Sequence, residues 1–170
     1  DNLRDTASSF KRAFVVEIMG RDCGYLALVS AVTNGAEVMI IPEVEYNLDS
    51  MKKRLQDEIK NGRRYIIAMV SEGAKATTKI RDWLKDEVGM ECRVTILGHI
   101  QRGGNPTVFD RLMAYEFMTK ALDGLFKENR RNSIVVYNNS KIDYVSIDYS
   151  NSQKHRVKEE LINISKHLCV

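Results

Sequence analysis

The stretch AFVVEIMG, residues 13–20, is a run of apolar and β-branched side chains that stops at a glycine. Similar runs recur three times, and patterns with helical spacing separate them. Strands that alternate with helices form βαβ units, in which the strands pair in parallel. Because the strands carry nearly continuous apolar runs, we expect helices on both faces of the sheet. The four predicted strands are AFVVEIMG (13–20), EVMIIPE (37–43), RYIIAMVSEG (64–73) and CRVTILGHI (92–100).

Three helices are predicted between these strands, and each pattern ends at a glycine, a common residue just after a helix. In the second helix, apolar residues recur every three to four positions from Leu48 to Ile59, and Asn47 precedes them as the expected N-cap. Thr77 or Thr78 is the expected N-cap of the third helix. The predicted helices cover 23–35, 47–62 and 76–89.

The pattern changes after residue 100. An amphipathic helix is predicted over 109–123, two strands around an Asn-Asn turn over 133–147, and a closing helix near the C-terminus. We therefore expect an α/β domain over 1–108, a separate helix over 109–125, and strands and a helix over 126–170 that complete the domain. The chain begins without methionine, so we expect that Asp1 is not a natural start.

Composition restricts the class of protein. The 170 residues are 44% hydrophobic and 29% charged, as in soluble globular proteins, and the apolar runs are too short to span a bilayer. The net charge of +3 is spread along the chain, which argues against nucleic-acid binding. The histidines and cysteines lack metal-ligand spacing, so we expect no metal site, and free cysteines favour the cytoplasm. These residues are Cys23, Cys92, Cys169, His99, His155 and His167.

Polar residues follow three of the predicted strands. Arg21 follows the first, Glu72 the third, and His99 and Arg102 the fourth, each beside glycines. Each alone is more often structural, but the carboxyl ends of parallel strands share one edge, where ligands bind. Arginine suits phosphate, glycine lets backbone amides approach an anion, and glutamate accepts hydrogen bonds from hydroxyls. The combination predicts a sugar-phosphate site.

Arg12 and Arg93 lie at the starts of two strands, hence at the opposite edge. They are either solvated or offered to a neighbouring subunit, and the pattern alone does not choose between these.

The chain resembles the C-terminal half of the bacterial-type 6-phosphofructokinases, enzymes that phosphorylate fructose 6-phosphate. The family fold is a Rossmann-like three-layer sandwich with a mainly parallel sheet, and its enzymes are allosteric, magnesium-dependent homotetramers of the glycolytic pathway. The resemblance rests on VVEIMGRDCGYLAL (15–28), IIPEVE (40–45), VSEG (70–73), RVTILGHIQRGGNPTVFDRLMA (93–114) and, more weakly, IVVYNNSKI (134–142).

The resemblance implies roles for individual residues. Arg21 would contact the transferred phosphoryl group as a catalytic residue, and Glu72 would bind sugar hydroxyls. Arg12 and Arg93 would reach a neighbouring subunit's fructose 6-phosphate. The remaining implied substrate residues are Met19, Gly20, His99, Ile100, Gln101 and Arg102.

A second implied site binds a nucleoside diphosphate or phosphoenolpyruvate effector between subunits. Asn61 stands where the family commonly has lysine, so one cation is lost and effector regulation is in question. The implied residues are Arg4, Gly35, Ala36, Glu37, Arg63, Arg64 and Tyr65.

The family's ATP and Mg²⁺ sites lie mainly in an N-terminal half, with a Gly-rich loop and a Thr-Ile-Asp-x-Asp stretch. Neither motif occurs in these 170 residues, so we expect the chain alone to be inactive. In the full-length enzyme, helix 109–125 would pack on that other half. A pyrophosphate-dependent relative and a non-catalytic phosphosugar-binding module remain alternatives.

Overall fold

The computed structural model describes residues 2–153 and 156–169, so Asp1, Lys154, His155 and Val170 lie outside the described residues. The described chain divides into two compact units. The first contains residues 2–102 and 156–169, and the second contains 103–153. The division differs from the sequence expectation, because the break follows Arg102 and the last helix belongs to the first unit. The predicted functional domains 1–108, 109–125 and 126–170 stay a prediction, because compact units alone do not test them.

The first unit is built on a parallel sheet of four strands in the order β2-β3-β1-β4. β1 lies between β3 and β4, with Ala13 opposite both Ile66 and Cys92, so the ends of these three strands are level. The bounds are β1 Ala13–Ile18, β2 Val38–Ile40, β3 Ile66–Ser71 and β4 Cys92–Ile96. The predicted α/β class and the mainly parallel sheet are confirmed.

Helices pack on both faces of this sheet, which gives three layers. Alternate strand residues point to opposite faces. Val15 packs with α3 and α4, and Phe14 packs with α1 and α2. The helices of this unit are α1 Asn2–Phe10, α2 Tyr25–Asn34, α3 Leu48–Lys60, α4 Thr77–Asp86 and α7 Glu159–Leu168.

Two local predictions have clear outcomes. Asn47 caps α3, since its side-chain oxygen accepts the backbone N–H groups of Asp49 and Ser50. The predicted threonine cap of α4 is wrong, because the N-cap is Ala76 and the Thr77 hydroxyl instead donates to the Glu17 carboxylate. Helix α1 was not predicted, because the polar segment before Phe10 carries no strong apolar pattern.

Strand β4 departs from the expectation of a fully covered strand. It lies at the edge of the described sheet, and the side chains of Val94 and Ile96 are exposed. Its sequence CRVTI already mixes polar and apolar residues, unlike IIAMVS of β3, where every residue is buried.

The second unit contains helix α5 Val108–Phe126, hairpin strands β5 Ser133–Asn138 and β6 Lys141–Ser146, and helix α6 Ile147–Ser152. The hairpin was predicted, but its turn lies one residue later than the expected Asn-Asn pair, because Asn138 still pairs with Lys141. The turn residues Asn139 and Ser140 both have positive φ, as in a two-residue type I′ turn. Helix α5 is longer than predicted and its apolar side chains are mostly exposed. The expectation of an amphipathic helix is wrong, because apolar side chains are spread around the helix and do not form one face. No helix in the described parts of the chain is long and apolar enough to cross a membrane.

Candidate functional site

A cavity of about 610 Å³ lies at the carboxyl edge of the sheet. The loops after β1, β3 and β4 converge there, because β1 pairs in parallel with both of the other strands. All four polar residues that the sequence singled out line this cavity. The lining residues are Glu17, Ile18, Met19, Gly20, Arg21, Asp22, Glu72, Ile96, Gly98, His99 and Arg102.

Backbone contacts hold the loops after β1 and β3 together. The Gly20 carbonyl accepts the N–H of Gly73 at 2.9 Å and the Ser71 hydroxyl at 2.7 Å. A Cβ on Gly73 would lie 2.1 Å from the carbonyl oxygen of Arg21, so no other residue fits without a shift. Gly20 itself has φ of +144°, a conformation that side chains disfavour. The position of Arg21 therefore depends on Gly20, which precedes it, and on Gly73, which packs against its backbone.

The loop after β4 is joined to the end of β1 by a side chain. Residues Gly98–Arg102 form a 3₁₀ turn, and the Gln101 side-chain oxygen accepts the N–H of Met19 at 2.8 Å. The N–H of Leu97 also donates to the carbonyl of Glu17 at 3.1 Å. These contacts fix the loop that carries His99 and Arg102. Ile100 does not line the cavity, and its side chain is 80% exposed.

The side chains of Arg21, Glu72, His99 and Arg102 have no hydrogen-bond or ion-pair partner among the described residues. Two guanidinium groups, an imidazole and a carboxylate are thus available to a ligand in one cavity. Arginine donates up to five hydrogen bonds in a planar fork that matches phosphate, and a carboxylate accepts hydrogen bonds from hydroxyls.

Sequence reasoning missed two carboxylates of the cavity, Glu17 and Asp22. Glu17 is the one charged residue of β1, and that isolated charge in the strand AFVVEI was a usable signal. With Glu72, they make three carboxylates against two arginines, so the cavity has one net formal negative charge when His99 is neutral. A phosphate dianion would therefore need further cations that the lining residues do not supply.

Arg12 and Arg93 lie at the amino edge of the sheet, as the sequence predicted. Neither lines the cavity. Both form ion pairs with one carboxylate, that of Glu91, at 3.0 Å from Arg12 and 2.8 Å from Arg93.

The implied effector residues form a separate group around the ends of α1, α2 and α3. Arg63, Arg64 and Tyr65 line an open cavity of about 570 Å³, together with Asn61 and Glu58. Arg4 donates to the carbonyls of Asn34 and Gly35, and its guanidinium lies 5.9 Å from the centre of the Tyr65 ring. Ala36 and Glu37 are buried and do not line this cavity.

Arg63 in this group is already paired with carboxylates of the chain itself. It forms ion pairs with Glu37 at 2.5 Å and with Glu58 at 2.6 Å. Burial raises the pKa of the Glu37 carboxyl, and the hydrogen bond from the N–H of Ile67 and the charge of Arg63 oppose this rise. Arg64 has no such partner among the described residues, so it is the arginine here that remains available to an anion.

Comparisons with known proteins identify the family of this chain. The sequence model of the family described as Phosphofructokinase matches residues 1–125. The chain belongs to the phosphofructokinase family. It is 53% identical to the ATP-dependent 6-phosphofructokinase of Sulfurimonas denitrificans over 167 residues, which are 98% of this chain and 52% of that protein. It is 52% identical to the protein of the same name from Wolinella succinogenes over 169 residues, or 99% of this chain and 52% of that protein.

Solved phosphofructokinase structures share the fold. The structure from Saccharomyces cerevisiae superposes with a TM-score of 0.79 at 34% identity, over 88% of this chain and 22% of that one. The T-state structure from Pichia pastoris gives a TM-score of 0.75 at 27% identity, over 98% of this chain and 20% of that one. The chain spans about half the length of the bacterial phosphofructokinases that it matches, in agreement with the resemblance to a C-terminal half.

The first prediction concerns the glycine contact beneath Arg21. G73A places a Cβ against two backbone carbonyls and should lower the free energy of unfolding by about 1–3 kcal/mol, the cost of overpacking. It should also shift the backbone amide signals of Arg21 and Glu72 in an NMR spectrum, because this contact joins their two loops. G62A is the control, because a Cβ there meets nothing within 4 Å, although its φ of +100° still costs stability. Unchanged amide signals of Arg21 and Glu72 in G73A would contradict the role of this contact.

The second prediction separates the two arginines of the other cavity. R63A leaves the buried Glu37 carboxylate without its guanidinium, so urea denaturation should show a loss of about 1–3 kcal/mol. R64A removes an arginine without a partner in the described structure and should change stability by less than about 0.5 kcal/mol. Equal losses in the two variants would show that the Arg63 ion pairs contribute nothing.

Proposed function

We propose that this chain is the sugar-phosphate-binding half of an ATP-dependent 6-phosphofructokinase. The complete enzyme, a glycolytic kinase of the cytoplasm, would transfer a phosphoryl group from ATP to fructose 6-phosphate and form fructose 1,6-bisphosphate. The observation that carries the proposal is the set of unpartnered side chains, Arg21, Glu72, His99 and Arg102, in one cavity at the carboxyl edge of the sheet. The names of the bacterial relatives support the same activity.

In this proposal, different residues of the cavity bind different groups of the substrate. Arg102 and His99 donate hydrogen bonds to the sugar phosphate, and Glu72 accepts hydrogen bonds from sugar hydroxyls. Met19 and Gly20 form the backbone wall beside the sugar. The Gln101 oxygen is already bonded to the Met19 N–H, so Gln101 acts by fixing the loop that presents its two neighbours.

Arg21 contributes to the chemical step. In the transfer, the substrate hydroxyl attacks the terminal phosphorus of the donor, and negative charge on the phosphoryl oxygens is stabilised by donors held in place beforehand. Arg21 is one such donor, at the end of β1. The nucleotide and Mg²⁺ are bound mainly by residues outside these 170. The described residues contain no group of three or more His, Cys, Asp or Glu that is placed to hold a metal ion.

Arg12 and Arg93 complete the site of a neighbouring subunit in a homo-oligomer, a tetramer as the family resemblance implies. The charge of the cavity supports this role. One net negative charge from its own lining residues does not favour a phosphate dianion. Arg12, Arg93 and their shared partner Glu91 from a neighbour would add one net positive charge and make the balance neutral.

A nucleoside diphosphate or phosphoenolpyruvate effector is proposed at the second cavity. Arg64 is the cation available for it, because Arg63 is paired with two carboxylates and Asn61 carries no charge. Arg4 already donates to the backbone carbonyls of Asn34 and Gly35. We therefore expect a weak effector response, and one that R64A removes.

The third prediction tests the proposed function itself. The complete enzyme should form ADP when fructose 6-phosphate and Mg-ATP are present together, measured in a coupled spectrophotometric assay, and this chain alone should not. Formation of product from pyrophosphate but not from ATP would identify a pyrophosphate-dependent enzyme. Sugar-phosphate binding without turnover of either donor would identify a binding module.

The fourth prediction concerns Arg21. In the complete enzyme, R21A should lower kcat by about 100-fold or more, as expected for loss of a transition-state donor, and should raise the KM for fructose 6-phosphate much less. R81A is the matched control, because Arg81 is half-exposed, pairs with Asp82 at 2.7 Å and does not line the cavity. A rise in KM with unchanged kcat would remove the proposed catalytic role.

A further inference from the structure

Glu91 is the last residue before β4, at the amino edge of the sheet. Its backbone carbonyl accepts the N–H of Ala13 at 2.8 Å, which fixes its position against β1. Ala13 lies opposite Cys92 in the parallel pairing of β1 and β4, so the residues just before them, Arg12 and Glu91, are also neighbours. Arg93 lies two residues after Glu91, and side chains at i and i+2 of an extended strand share a face. The sequence places all three side chains together.

The carboxylate of Glu91 contacts both arginines, one with each oxygen. Oε2 lies 3.0 Å from Nε of Arg12, and Oε1 lies 2.8 Å from a terminal nitrogen of Arg93. The Arg12 guanidinium also lies 5.0 Å from the centre of the Phe10 ring, a cation–π contact that further restricts it. Two long side chains that would otherwise be free are thus held side by side at the surface.

The geometry leaves most of each guanidinium open. An arginine has five N–H donors, and Glu91 contacts one nitrogen of each, so both forks retain donors for a second anion. Without the carboxylate, the two positive groups would repel each other and occupy many rotamers. Ordering them on binding would then cost side-chain entropy and electrostatic energy.

We propose that Glu91 is a positioning residue that holds Arg12 and Arg93 as a preformed two-guanidinium receptor for the phosphate group of sugar phosphate bound to a neighbouring subunit. The inference rests on the proposed function, in which these arginines act across the interface. Glu91 itself does not touch the substrate. It lowers the cost of binding, because the receptor is organised before the phosphate arrives.

The experiment measures steady-state kinetics of the complete enzyme. E91Q keeps the size of the side chain but loses its charge, and should raise the KM for fructose 6-phosphate about fivefold, the upper range for a solvent-exposed ion pair. The kcat and the KM for ATP should not change, whereas a general loss of structure would alter all three. E91A should raise the KM for fructose 6-phosphate at least as much, and it replaces E91Q if that variant does not fold.

E87Q is the matched control. The side chain of Glu87 is 55% exposed, against 53% for Glu91. It forms an ion pair with Lys52 at 2.5 Å, whereas Arg12 and Arg93 pair with Glu91. E87Q should therefore leave the KM for fructose 6-phosphate unchanged. An unchanged or lowered KM in E91Q would overturn the proposal, and a lowered value would show that Glu91 competes with the phosphate.

Two further variants separate this inference from the proposed function. If R12A and R93A raise the KM for fructose 6-phosphate but E91Q does not, the inference about Glu91 fails and the proposed function stands. If R12A and R93A also leave this KM unchanged, the role of the arginines across the interface fails, and the inference about Glu91 fails with it.

Discussion

The parallel pairing of β1 with both β3 and β4 is the constraint on which the candidate site depends. Because the three strands run in one direction with level ends, their carboxyl-terminal loops meet at one edge. The contact between Gly20 and Gly73 then lets two of these loops approach to hydrogen-bonding distance. Arg21 and Glu72, which are 51 positions apart in the chain, line one cavity as a result.

The same pairing places a different set of groups at the amino edge. Arg12 and Arg93 cannot reach the cavity of their own sheet, yet a single carboxylate holds them as a pair. The cavity has an excess of carboxylates and the amino edge an excess of arginines. These two imbalances compensate each other if the amino edge of one subunit faces the cavity of the next, which supports the proposed homo-oligomer.

Much of this arrangement could be predicted from the sequence. Continuous apolar runs identified the strands of the first unit, and the polar residues after them identified the cavity. What sequence reasoning missed depends on tertiary contacts. Glu17 lies inside an apolar strand but reaches the cavity, and Thr77 bonds to it instead of capping α4. Sequence reasoning also missed the ion pair between Arg63 and Glu37, because these residues are 26 positions apart and no local pattern relates them.

Subunit complementation tests the central claim most directly, that one catalytic site needs the two edges of different chains. One variant of the complete enzyme would carry R12A and R93A, and a second would carry H99A and R102A. Each alone should be nearly inactive at low fructose 6-phosphate, because each of its sites lacks two phosphate-binding residues. After the two variants are dissociated and reassembled together, sites with all four residues intact should form and activity should return. Activity no greater than the sum of the separate variants would contradict the account.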